Sequence, residues 1–170
     1  LAAIHGLEQR DDIDRTRFGI WGTDLGAYAA LAAAGQEPHI QSLALDSVYD
    51  QPSDFLMVQV GHTGLGGLPL VKTFCLFGFR MLSYDYRAVA PARASLARLQ
   101  GIPKLFIEAT DRQELDEATL RMYQIAPPPK DQIVNSMAYS EMSDEGRRTY
   151  EDHIVSFFLQ SLPPSGQPAQ

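Results

Sequence analysis

Along the chain, short runs of β-branched and aliphatic residues alternate with longer stretches whose apolar positions recur at helical spacing. Thr16-Arg-Phe-Gly-Ile-Trp21 reads as a strand, followed by the tight turn Gly22-Thr-Asp-Leu-Gly26 and an alanine-rich helix over about Leu25 to Ala34 that stops at Gly35. Further strands are predicted at Ile40 to Leu45, Pro103 to Glu108 and Lys130 to Asn135. Helices are predicted at Ala92 to Gln100, at Glu114 to Ile125 ahead of the break Pro127-Pro-Pro129, and at Glu145 to Leu162. Strands separated by helices in this rhythm define an α/β protein, with a mostly parallel sheet flanked by helices. Residues 1–162 are read as one domain, and the polar, proline-rich tail 163–170 as disordered.

The rhythm breaks over about 47–90, a longer excursion than a β/α connection needs. Within it, Phe55 to Phe79 carries a single charge, Lys72, and is interrupted by Gly61, Gly64, Gly66, Gly67, Pro69 and Gly78. Those interruptions, with Gln59 and His62 among them, fit a membrane span poorly. The run is read instead as core or lid packing, with a surface for a protein partner as the second reading.

Charge removes one class of function. Fourteen Lys+Arg against 21 Asp+Glu give a formal net charge of −7, with the basic residues scattered, so nucleic-acid binding is not expected. Cys75 is the only cysteine, which excludes an internal disulfide, and a Cys-rich zinc site cannot be built from it and four separated histidines. No metal centre or cofactor is expected. The run Leu1-Ala-Ala-Ile-His-Gly-Leu7 reads as the end of an amphipathic helix already in progress, without a recognisable signal peptide, so the native start is expected upstream and the compartment, cytoplasm or cell envelope, stays open.

The chemistry-bearing motif is Gly22-Thr-Asp-Leu-Gly26, between a strand and a helix. It has the form Gly-x-Ser-x-Gly, a strained turn that lifts a nucleophile above a sheet, with Asp24 in place of serine. The glycines are expected to be required because strand and helix pack closely around the turn. Aspartate before a helix is also a favoured N-cap, which is the plain alternative for Asp24.

With the strand before it and the alanine-rich helix after it, this motif resembles the α/β-hydrolase superfamily, in particular its bacterial esterase-like and serine-aminopeptidase-like members. The resemblance runs to about Leu162 and takes in Leu45-Asp-Ser47, the excursion and Ile102-Pro103. It implies a hydrolase fold of which this sequence supplies the last four strands, the earlier strands coming from the same or another chain. The strand at Phe18 to Trp21 is then central and buried. The resemblance also implies a triad acid in the turn after the strand led by Ile102-Pro103, which falls on Arg112 or the adjacent Asp111, and a histidine base where this chain has Tyr139.

All three positions thus depart from the family. Relatives with an aspartate nucleophile still need a histidine to activate water, and tyrosine is a poor base near neutral pH. Of the four histidines, His5, His39 and His153 are placed away from the site, His153 as a partly buried helix residue, and His62, the only one in reach of it, is read as a surface or packing histidine with a base swinging over the site as the alternative. The resulting reading is a hydrolase-fold protein that has lost hydrolase activity and serves a binding or structural role, with Asp24, Arg112 and Tyr139 converging in a salt bridge or polar pocket. The alternative is an active hydrolase of esters, amides or related bonds with Asp24 as nucleophile.

Overall fold

The computed structural model describes residues 1–62, 68–82, 90–111 and 113–162, except for the side chain of His62. Four strands, β1 (Phe18–Thr23), β2 (Ile40–Asp46), β3 (Lys104–Ala109) and β4 (Lys130–Asn135), form one sheet in the order β1-β2-β3-β4, every neighbouring pair parallel. Around it lie α1 (Ala2–Leu7), α2 (Leu25–Ala34), α3 (Pro52–His62), α4 (Pro69–Leu82), α5 (Ala92–Leu96), α6 (Gln113–Ile125) and α7 (Asp144–Ser161). Parallel strands need crossover connections, and helices supply three of these before β2, β3 and β4.

Alternation along the central strands splits the core in two. Leu43, Leu45 and Phe106 point to one face, where they meet Leu31 of α2, Leu96 of α5, and Leu115 and Met122 of α6. Ala44, Leu105 and Ile107 point to the other, against Tyr150 and Ile154 of α7. The start of α7 is fixed by Ser143, whose hydroxyl accepts the Gly146 N–H at 3.2 Å. β3 is buried throughout, including Lys104, whose ammonium donates to the carbonyls of Leu99 and Ile102. Burial, with Lys130 nearby, pulls that ammonium down to about 8.

Two expectations need correction, both on element bounds. β1 starts and ends two residues later than the run Thr16 to Trp21, because its pairing with β2 continues to Thr23 opposite Asp46. Among the described strands β1 is outermost on its side of the sheet, and Gly19, Trp21 and Thr23 are exposed in alternation. The helix expected over Ala92 to Gln100 closes at Leu96, and the chain continues through three-residue turns, Arg98 N–H to Ser95 and Leu99 N–H to Leu96, into Gly101 at φ 81°.

The excursion folds as two helices of different character. On α3, Val58 and Val60 are buried and Phe55 stacks on Tyr49 with ring centroids 5.4 Å apart. Helix α4 is half-covered on one side, at Val71, Cys75, Leu76 and Phe79, and fully buries none of its residues. Leu70, Phe74, Phe77 and Met81, spaced four, three and four residues apart, form an outward stripe 61–73% exposed. No helix among the described residues is long and apolar enough to cross a membrane. The tail 163–170, Arg112 and the glycine-rich residues 63–67 lie outside the described residues.

Candidate active site at the carboxyl end of the sheet

Asp24 occupies the single residue between β1 and α2, at φ 49° and ψ −116°. Such a backbone is costly for any residue with a side chain, about 1–3 kcal/mol. Its N–H donates to the Asp46 carbonyl at 2.9 Å, continuing the β1/β2 ladder one residue past the strands. The N-cap alternative fails, because the Asp24 side chain accepts no capping bond from α2 and a cap has extended backbone.

The two glycines of the motif differ. A Cβ on Gly22 would lie 2.5 Å from the Gly26 carbonyl carbon and oxygen and 2.7 Å from the Ala27 nitrogen, so nothing larger than glycine fits. A Cβ on Gly26 would meet no atom within 4 Å, and the close-packing expectation holds for Gly22 only. Gly26, like Thr23 and Leu25, is exposed, which leaves room for a side chain there.

Thr23, Asp24, Asp46, Ser47, Ala138, Tyr139 and Ser140 line a cleft of about 100 Å³. Ligand pockets typically measure about 300–1,000 Å³, so this one admits only small groups. Asp46 is its buried floor, accepting the Tyr150 hydroxyl at 2.5 Å on one oxygen and the Ser47 hydroxyl at 2.7 Å on the other. Burial and the Asp46 carboxylate push the Tyr150 phenol far above its ordinary range, so this bond keeps its proton. Ser47 has positive φ, 54°, a second strained residue beside the first.

Tyr139, at the position where the resemblance puts a base, opens a 3-10 turn, Tyr139–Glu141, ahead of α7. Its ring meets Trp21 edge-on at 5.7 Å and leans on Tyr150 at 5.1 Å, and Trp21 touches Tyr150 in turn at 5.8 Å. Its hydroxyl donates to Glu151 Oε1 at 2.5 Å, and that carboxylate raises the phenol pKa, so the group at this position holds its proton more tightly than a free tyrosine.

Asp111, one candidate for the acid, accepts the Ala138 N–H at 3.0 Å and so ties the turn after β3 to the turn carrying Tyr139. The other candidate, Arg112, lies outside the described residues, and with it any pairing to Asp24. Asp24 and Tyr139 do line one cleft. No histidine lines it among the described residues. His5 and His39 sit at the other end of the sheet, and the side chain of His62 lies outside the described residues. His153 is exposed rather than partly buried, because α7 turns that side to solvent, and it lines a separate groove of about 360 Å³ with Asn135, Met142 and Thr149.

Sequence reasoning missed three participants. Asp46 had a signal, an acid ending an otherwise apolar strand. Trp21 and Tyr150 had none, since their meeting depends on where α7 docks. Glu108 is a further buried acid, held by Gln132 Nε2 at 2.7 Å, outside the cleft; burial and then Asp116 push its carboxyl up to about 6.

No protein-family profile matches the chain, and no curated protein matches it. Among solved structures it is similar to the α/β hydrolase GrgF from Penicillium sp. sh18, at 9% identity and TM-score 0.65 over 95% of this chain and 69% of that one. It is also similar to an acetyl xylan esterase from Paenibacillus sp. R4, at 17% identity and TM-score 0.66 over 95% and 50%, respectively. The esterase Pf2001 of Pyrococcus furiosus aligns at 15% identity and TM-score 0.65 over 95% and 60%. The chain therefore has the α/β-hydrolase fold, and it spans half to about two thirds of the length of these neighbours.

Proposed function

We propose that this chain is a hydrolase-fold protein without hydrolase activity, whose role is binding or structural. The observation that carries the reading is Tyr139. At the position of the base stands a phenol that donates to Glu151 and is wedged between Trp21 and Tyr150, so this residue offers no imidazole to take a proton from a water at Asp24. An ester formed on Asp24 would have no activated water to release it. The apolar stripe of α4 is the docking surface for a protein partner, and the outer edge of β1 is where further strands, of this or another chain, would add.

The test is turnover of nitrophenyl esters, peptide anilides and haloalkanes by the wild type and by Asp24→Ala. Neither protein should exceed the uncatalysed rate. Turnover that disappears with Asp24→Ala overturns the proposal. The second reading, an aspartate-nucleophile hydrolase, is favoured by the strained backbone at Asp24, since strain of this kind clusters at reacting groups. It requires a covalent adduct on Asp24, visible by intact mass after substrate exposure.

A further inference from the structure

At the amino end of the sheet, far from Asp24, four chemistry-bearing side chains meet. His5 and Glu8 lie one turn apart on and just after α1, and Glu37 and His39 flank Pro38 between α2 and β2. His39 Nδ1 is 3.0 Å from Glu8 Oε1 and 3.2 Å from Glu37 Oε1, and His5 Nε2 is 3.8 Å from Glu37 Oε2. One ligand atom from each of Glu8, Glu37 and His39 lies within 4.8 Å of the others.

Three features of this cluster point to a cation. Ligand atoms about 2.0–2.2 Å from a tetrahedral zinc sit roughly 3.3–3.6 Å from one another, close to the separations found here. Two carboxylate oxygens converge on His39 Nδ1, a donor set in which a divalent cation takes the place of the single shared proton. Glu37 is nearly buried, and the His39 backbone N–H donates to its Oε1 at 3.1 Å, fixing the carboxylate as outer-shell bonds do around metal ligands. The charges also match, two carboxylates against a divalent ion. Imidazole among the donors selects a borderline transition cation over calcium or magnesium.

We propose that Glu8, Glu37 and His39 bind one divalent cation of the zinc class, with the fourth position open to solvent. The ion ties α1, whose buried contribution is Ile4, to the start of β2. The histidines are separated in the sequence, but His5 and His39 become neighbours in the fold. This site shares no residue with the cleft and stands whether or not the chain hydrolyses anything.

The test is calorimetric titration of the chelator-treated full chain with Zn²⁺, in a Cys75→Ser background so that the lone thiol does not contribute, with Co²⁺ absorption as a second readout. One Zn²⁺ should bind per chain, raise the Tm, and give with Co²⁺ the visible band of an N/O site. Glu8→Gln, nearly isosteric, and His39→Ala should each weaken binding about tenfold or more, with the circular dichroism unchanged. His153→Ala, an exposed histidine on α7, should leave it intact. Absence of saturable binding overturns the proposal, as does binding that survives the Glu8→Gln/His39→Ala double variant or that His153→Ala weakens equally.

Discussion

The carboxyl end of the sheet and helix α4 both gather large apolar side chains, and the chain uses them in opposite ways. Around the cleft, Trp21, Tyr139 and Tyr150 interlock over a buried Asp46, each ring restrained by two others and two of the three by a hydroxyl-to-carboxylate bond. On α4, Leu70, Phe74, Phe77 and Met81 have the spacing of an amphipathic seam, and solvent covers them. The difference teaches that apolar content does not decide what is core. The sheet does, because β1, β2 and α7 converge from distant parts of the chain, whereas α4 leans on its neighbour α3.

The sharpest way to break the contrast is at the turn itself. Gly22→Ala places a methyl group against the Gly26 backbone, which cannot give way without unseating α2 from β1, so a loss on the order of 3 kcal/mol or more is expected in denaturant unfolding. Gly26→Ala, with open space around its Cβ, should stay within about 0.5 kcal/mol of wild type. Equal effects at the two glycines would remove the turn from its place as the most constrained point of the fold. Next in size, Trp21→Ala strips both aromatic contacts from the cleft and should lower stability by about 2 kcal/mol, less than a full core deletion because Trp21 is 39% exposed.

How far the sequence discloses these regions follows from the range of the interactions. β4 is legible to the residue, since Pro127-Pro-Pro129 marks its start and its pairing partner lies close in the chain. The turn at Asp24 is legible because its constraint is local, a strand, a glycine and a helix in one short stretch. The cleft floor is not, because Asp46 and Tyr150 are 104 residues apart and only the docking of α7 joins them. The cluster of Glu8, Glu37 and His39 is hidden for the same reason: spacing along the chain says nothing about α1 folding back over the start of β2. Where α4 is concerned, the glycine-interrupted apolar run hides the helix, and nothing in the sequence says what covers it.

A smaller effect separates the sheet interior from both regions. Glu108 carries a carboxyl whose folded pKa is raised, by burial first and Asp116 second, from the ordinary 4.5 to about 6. The folded state thus holds a proton the unfolded state has released, so its contribution is complete below pH 4.5 and is lost as pH rises through about 6. Glu108→Gln, which keeps the shape without the titration, should flatten that decline by about 1 kcal/mol relative to wild type across the window. Parallel stability profiles for the two proteins between pH 4 and pH 7, roughly the span of the two pKa values, would show that Glu108 titrates like a solvated side chain.

The smallest effect belongs to α4 and is the most informative about its use. Phe74 and Phe77 are 73% and 63% exposed, so replacing both by serine removes little buried area from the chain's own core. Unfolding of the isolated protein should change by no more than about 0.5 kcal/mol, because substitutions away from packed features rarely cost more. Solubility should improve, since an uncovered stripe of large apolar side chains promotes association. A loss of several kcal/mol in the same variant would mean that the stripe packs within its own chain, and the contrast between the two regions would collapse. Unchanged stability combined with lost capture of a protein partner is the result a docking surface requires, because it separates what α4 contributes to folding from what it contributes to binding.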